Sequence, residues 1–401
     1  MKSLPRKAET VASWPTLAAS ALAEARDDAS AVVEKPQPLA PPRWDWRGVR
    51  RVLVVRLRSI GDTALATPAL YALRRFLPGA QIDVLLEDWV APLLDGLELV
   101  DRVITIERGS TASRARVVRA LRAARYDVAY NLHGGTTATL ITRASGAQHR
   151  VGYASYQYAR LHNHTAPPAA ELWGRERTHS VEQQLALLGW TGVPVSDRPA
   201  TRLAVTMEAE ALLDQKLRDL KLDQPRFDTS RPFALLHPAA AFETKRWATE
   251  NFARVAETLA ARGLQTIAVV APHEAAINQA LVANSAAPVV TFSDISLPLV
   301  TALAARASLF VGNDSGLAHI AAAVGTPSVV IFGSSNVAHW RPWTGGSVRS
   351  EVVREELPCQ PCPGYTCAEF DAPECIRRVS VERVTAAIER VLAVNGPICV
   401  E

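Results

Sequence analysis

From Arg51 onward the chain alternates short apolar runs with amphipathic stretches. "RVLVV" (51–55), "IDVLL" (82–86), "RVITI" (102–106) and "DVAYNL" (127–132) read as strands, each followed by a helical pattern. Strands that are apolar on both faces and alternate with helices predict a parallel sheet covered on both sides. The rhythm breaks near residue 200 at "VPVSDRPATRLAV" and again at "KLDQPRFDTSRP", stretches rich in Pro and Asp that suit an interdomain connection. It then resumes with strands "FALLHP", "LQTIAVVAP", "PVVTF", "SLFVGND" and "SVVIFG", separated by helices predicted over 249–262, 273–283, 297–306 and 315–324. The expected fold class is therefore α/β, with two doubly wound, Rossmann-like domains facing a central cleft. Ligands of such sheets bind beyond the carboxyl ends of the strands, so the cleft is the expected site.

The predicted organisation is a flexible Ala/Pro-rich tail and linker over 1–47, a first domain over 48–205, a connection over 206–231 and a second domain over 232–395. Four prolines between Pro36 and Pro42 forbid a helix or a central strand there, and a short helix is expected near Ala18–Val33. Length agrees, since 401 residues exceed one compact core and fit two ordinary domains with extra material.

Composition narrows the classes. At 48% hydrophobic and 21% charged the chain is globular, and no apolar run of about 18 residues is present to span a bilayer. The N-terminal "MKSLPRKAETVASWPTL" lacks the apolar core of a secretory signal, so the cytoplasm is the expected compartment. A net charge of +4 favours an anionic substrate or membrane surface and falls far short of a dedicated nucleic-acid pattern, so no nucleic-acid partner is expected.

Three segments carry chemistry. In "FVGNDSGLAHIAAAVGTPSVVIFG" (310–333) a strand runs into Gly312-Asn313-Asp314-Ser315-Gly316 and a helix; Asp314 or Ser315 can cap that helix, and its free N–H groups suit a diphosphate. The other reading is an ordinary capped corner. In "LLHPAAAFETKRWATENFARVAETLAARG" (235–263), Lys245 and Arg246 stand just before a helix capped by Thr249, where two cations at the same sheet end as Asp314 strengthen an anion site. Their alternative is a solvated basic pair, and Trp247 reads as packing. In "VVRLRSIGDTALATPAL" (54–70), Asp62 sits at a strand-to-helix corner, either as a helix cap or as a general base. Thr67-Pro68 forms an N-cap and first-turn pair, which predicts a break between Asp62 and Pro68 that frees the carboxylate to face the cleft.

Together, "RVLVVRLRSIGDTALATPALYALRRFLPGAQI", "HPAAAFETKRW", "APHE" and "NDSGLAHIAAAVGTPSVVIFG" resemble glycosyltransferase family 9, the bacterial lipopolysaccharide heptosyltransferases, over about residues 50–392. The resemblance implies the two-lobed GT-B fold and inverting transfer from a nucleotide-diphosphate sugar, commonly ADP-heptose, to the lipopolysaccharide inner core, with no metal motif and no cofactor required. Other nucleotide sugars, an O-antigen or protein acceptor, or a binding module without activity are the alternatives. It implies that Asp62 is the catalytic base and that Lys245, with Thr244 alongside, meets the leaving diphosphate. Asp314 would bind the donor sugar, Ser315 and Gly316 its phosphate, His319 would be the motif histidine, and Glu274 would hold the nucleotide ribose. A lipid acceptor also implies peripheral contact with the inner membrane, for which "RVVRALRAARYD" (116–127) is a candidate surface; its plainer reading is a solvated helix face.

Two positions depart from the family's usual pattern: Ala239 follows Pro238 where a glycine is common, and Ala248 follows Trp247 where a proline is common. Neither removes a charged group. The loop 357–376 carries Cys359, Cys362, Cys367 and Cys375. A structural zinc site is one reading, although the spacing supplies only one short hook; local disulfides or free thiols are the other.

Overall fold

A computed structural model describes residues 35–223, 227–228, 230–346, 348–362 and 364–393. The helix expected near Ala18–Val33 and the fifth cysteine, Cys399, lie outside the described residues. The first lobe comprises β1 (Arg51–Leu57), α1 (Ile60–Ala64), α2 (Thr67–Phe76), β2 (Gln81–Glu87), β3 (Arg102–Ile106), α3 (Thr111–Ala124), β4 (Val128–Asn131), α4 (Thr136–Ala144), β5 (His149–Tyr153), β6 (His164–Ala166), α5 (Ala169–Trp173) and α6 (Ser180–Gly189). Helix α7 (Met207–Asp223) follows, then β7 (Phe233–His237), α8 (Thr249–Ala261), β8 (Gln265–Val269), α9 (Ala275–Asn284), β9 (Val289–Phe292), α10 (Leu297–Arg306), β10 (Leu309–Asn313), α11 (Gly316–Ala323), β11 (Ser328–Phe332), α12 (Val337–Trp340), β12 (Ser350–Arg354), α13 (Glu374–Arg377) and α14 (Val381–Ala393).

Both sheets are six-stranded and parallel. Their orders, β3-β2-β1-β4-β5-β6 and β12-β11-β10-β7-β8-β9, are the same doubly wound topology repeated. Strand order reverses at β1/β4 in the first lobe and at β7/β10 in the second, and these switch points are where such sheets open a crevice. Central strands such as β7 and β11 are buried along their whole length, as continuous apolar runs require.

Three apolar clusters hold these layers. One is continuous across both lobes and joins Val52, Leu70 and Leu188 to Leu235, Leu303 and Ile320. A second lies under α8 and α14, the outer face of the second sheet. The third, with Leu53, Val117, Leu121 and Ile141, lies under α3 and α4, the outer face of the first. The proline-rich segment from Pro36 runs extended, as its sequence demands, and is laid against the first lobe: the Leu39 N–H donates to the Gly189 carbonyl at 3.0 Å, and Trp46 Nε1 to Thr191 O at 2.9 Å. The connecting helix α7 packs on α10, with Arg306 paired to Asp214 at 2.5 Å.

Candidate active site

At the first switch point, β1 is apolar after its exposed first residue, Arg51, except for Arg56. The pairing of β1 with β2 slips between Val55 and Leu57, leaving Arg56 as the extra residue of a bulge, with Leu57 in the left-handed region at φ +54°. A bulge bends the strand and re-aims the side chain at it. The buried guanidinium reaches the corner after the strand, where Nη2 pairs with Asp62 Oδ1, Nε donates to the Asp62 carbonyl at 3.1 Å and Nη1 to the Leu132 carbonyl at 2.7 Å. Ser59 Oγ donates to Asp62 Oδ2 at 3.1 Å. Asp62 is thus clasped, with about a quarter of its side chain, 24%, still open to solvent.

The expected break is present. Helix α1 ends at Ala64, and α2 starts afresh at Thr67 with Pro68 in its first turn, where a missing N–H costs nothing. Thr67 is not the cap: Ala66 takes that position, and the Thr67 hydroxyl donates to the Ala64 carbonyl at 2.7 Å. Its lone pairs serve the Arg202 N–H instead, at 3.0 Å.

At the second switch point Lys245 Nζ pairs with Asp314 Oδ2 at 2.8 Å. Asn313, fully buried, ties the two loops together by donating to the Pro238 carbonyl at 2.8 Å and accepting from the Trp247 N–H at 3.1 Å. Trp247 is core, its indole N–H donating to the Val379 carbonyl at 2.7 Å. Arg246 does not join the cation site; it is exposed and donates to the Ala240 carbonyl at 2.8 Å. Thr249 is the first helical residue and Ala248 the cap, so the threonine cap expected there is not formed. Ser315 does occupy the cap position of α11, but its hydroxyl makes no capping bond and is buried without a partner. Thr244 faces away from the Lys245–Asp314 pair: its hydroxyl donates to the Gly364 carbonyl at 3.1 Å and accepts from Ser334 Oγ at 2.9 Å. Glu274, in the turn Pro272–Glu274 between β8 and α9, accepts from the Ala271 N–H at 3.2 Å.

The corners meet. A Cβ placed on Gly61 would lie 2.6 Å from His319 Cδ2, and one on Gly316 would lie 2.8 Å from Ile60 Cβ, so only glycine permits this approach of α1 to α11. His319 is buried with Nδ1 unpartnered. Burial pushes its pKa down, opposed by the carboxylates of Asp314 and Asp62 and reinforced by Lys245. His179 bridges the lobes from the first: the Val181 N–H donates to Nδ1 at 3.1 Å, and Nε2 donates to the Arg341 carbonyl at 2.8 Å. Burial holds its pKa down at about 3. His339 answers from α12, with Nδ1 3.1 Å from the Thr178 carbonyl. His133, after β4, is half-buried beside Arg56 and Asp62, and burial depresses its pKa too.

Sequence reasoning passed over Arg56, Ser59, His133, His179 and His339. Only Arg56 carried a visible signal, a charge inside an otherwise apolar strand. Cys359, Cys362, Cys367 and Cys375 line one cavity of about 210 Å³ with Thr244 and Ser334. All four are unbridged, so the disulfide reading fails, and among the described residues no group of three or more ligands is placed to hold a metal ion. The zinc reading accordingly draws no support from this geometry.

A carboxylate held on one lobe, an ammonium and a helix N-terminus on the other, and two doubly wound sheets meeting at their switch points define a two-lobed glycosyl-transfer enzyme. The sequence profile of glycosyltransferase family 9 (heptosyltransferase) matches residues 114–372, and the chain belongs to that family. It is 25% identical over 303 residues to lipopolysaccharide heptosyltransferase 3 of Escherichia coli, covering 73% of this chain and 86% of that one. Its fold matches a glycosyl transferase family 9 structure from Veillonella parvula (TM-score 0.74, 19% identity, 86% and 98% of the two chains). It also matches the E. coli ADP-heptose lipopolysaccharide heptosyltransferase II (TM-score 0.68, 22% identity, 86% and 99%).

Proposed function

We propose that the protein transfers a heptose from ADP-heptose to the lipopolysaccharide inner core, with inversion at the anomeric carbon. The observation that carries this reading is the opposite polarity of the two corners: the first lobe offers a clasped carboxylate, the second an ammonium. In the proposed reaction an acceptor hydroxyl lies against Asp62, which takes its proton as the hydroxyl oxygen attacks the anomeric carbon. The bond to the diphosphate breaks on the far side, and the electron pair leaves with ADP. Lys245 and the N-terminus of α11, at Ser315 and Gly316, meet the growing negative charge, which a dry and preorganised site stabilises more than water does. Asp314 orients Lys245 and the sugar hydroxyls, while Glu274 takes the ribose. The names of the relatives support the donor and the acceptor class. No described helix is long and apolar enough to cross a membrane, so contact with a lipid-borne acceptor on the cytoplasmic side would be peripheral.

The test is donor selection. ADP-heptose should raise the melting temperature and support single-turnover transfer to a lipopolysaccharide-core acceptor, whereas UDP-glucose, GDP-mannose and ADP-glucose should do neither. Equal shifts from a UDP-sugar, or turnover on a different glycan alone, would replace the donor or the acceptor in this reading.

A further inference from the structure

We infer that the outer face of the first lobe, formed by α3 and α4, docks on an anionic membrane surface. Residues 108–170 contain nine arginines and a single acid, Asp127. Their +8 is twice the +4 of the whole chain, so the rest of the protein is net negative. Six of these nine arginines lie on α3, its cap and α4.

That surface is unpaired. Arg114, Arg116, Arg119 and Arg122 of α3 and its capping residue Arg125 are all exposed, and Arg143 of α4 adds a sixth. Among the described residues none of the six has a carboxylate partner, and Asp127 is spent on the backbone N–H groups of Arg50 and Arg51 at 2.7 and 2.8 Å. The outer face of the second lobe, under α8 and α14, is built otherwise: Arg254 pairs with Glu382 at 3.0 Å, Arg390 with Glu351 at 2.8 Å, and Arg262 and Arg383 with Glu389 and Glu355. Arginines spaced three apart on α3 repel one another and destabilise the helix. An anionic surface relieves that repulsion.

The chemistry selects a bilayer. Neither α3 nor α4 carries an aromatic side chain on which a base could stack, and Leu140, half exposed on α4, offers an aliphatic contact beside Arg143. Both helices begin at the carboxyl edge of the first sheet, the edge that bears Asp62. A lipid-borne acceptor would then reach that edge from the surface the arginines hold; this step rests on the proposed acceptor.

The experiment is sedimentation of the full chain with vesicles of phosphatidylcholine, with or without about one-third phosphatidylglycerol, at low, physiological and high salt. Binding should require phosphatidylglycerol and weaken steeply with salt. The variant Arg114→Gln/Arg116→Gln/Arg119→Gln/Arg122→Gln should lose at least tenfold in partitioning, the matching Arg→Lys set should keep it, and Arg254→Gln/Arg390→Gln should leave it unchanged. The proposal is overturned if the native chain ignores anionic vesicles at physiological salt, if the glutamine set binds like the native chain, or if a duplex oligonucleotide displaces the vesicles and is held more tightly. The vesicles hold no acceptor, so vesicle binding by a chain that, in a separate assay, transfers no heptose to an added lipopolysaccharide-core acceptor would sink only the proposed function. Transfer to a detergent-dispersed acceptor without vesicle binding would sink only the docking face.

Discussion

The two switch points carry the same device with its polarity exchanged. Each has one carboxylate paired with one cation where the strand order reverses. In the first lobe the cation is buried and the anion is open: the Arg56 side chain is 8% exposed and that of Asp62 24%. In the second the anion is buried and the cation is open, at 5% for Asp314 and 21% for Lys245. The buried partner holds the open one in place, because a charge removed from water keeps its counter-charge close. One fold used twice therefore presents an open carboxylate from one side and an open ammonium from the other, the polarity that the proposed displacement of a diphosphate by a hydroxyl would use.

Breaking the open member of each pair should cost most. Asp62→Ala should lower kcat by about 10³-fold, the scale of a lost general base, as measured by ADP release with saturating acceptor. Lys245→Met should lower kcat/KM for the donor by about 10²-fold or more through weaker stabilisation of the leaving group. It should also lower the melting temperature, since Asp314 is left buried without its partner. Removing the buried member of the first pair is milder. Arg56→Gln should reduce kcat by about 10–10²-fold by letting Asp62 drift while leaving the donor KM intact, and Arg56→Lys should recover part of it.

Smaller effects test how the corners are brought together. Gly61→Ala should destabilise the protein by about 1–3 kcal/mol or hold the lobes apart, because its methyl meets the His319 ring; thermal melts and the donor KM report which. The pH dependence is set by histidines kept neutral. His179 resists protonation down to about pH 3, whereas the unfolded chain takes up that proton near pH 6.5. Stability should therefore be complete above about pH 6.5 and fall on acidification, by up to about 1.4 kcal/mol per pH unit for this residue. Urea titrations of the native protein and His179→Gln should show a shallower acid slope in the variant.

The alternation of strands and helices and the broken helix after Asp62 were legible because each rests on local periodicity, glycine or proline. Short or weakly apolar strands such as β6 left no such trace. Asp62, Lys245, Asp314 and His319 could be proposed from their positions beyond strand ends, and the structure gathers them. What escaped depends on geometry that spacing does not encode. Arg56 points at Asp62 only because β1 bulges there, His179 caps α6 while reaching the Arg341 carbonyl of the opposite lobe, and the Thr244 hydroxyl turns toward the cysteine-lined cavity. The threonine caps failed for a related reason: the loops entering α2 and α8 place the residue before each threonine at the cap.

The most direct measurement of the exchanged polarity is calorimetric titration of ADP-heptose into two near-isosteric variants, Asp62→Asn and Lys245→Met, alongside their single-turnover rates. Asp62→Asn should bind the donor within about threefold of the native protein and fail to transfer, while Lys245→Met should lose donor affinity by at least tenfold. Near-normal transfer by Asp62→Asn, or unchanged donor affinity in Lys245→Met, would contradict the assignment of base and anion-binding group to opposite lobes.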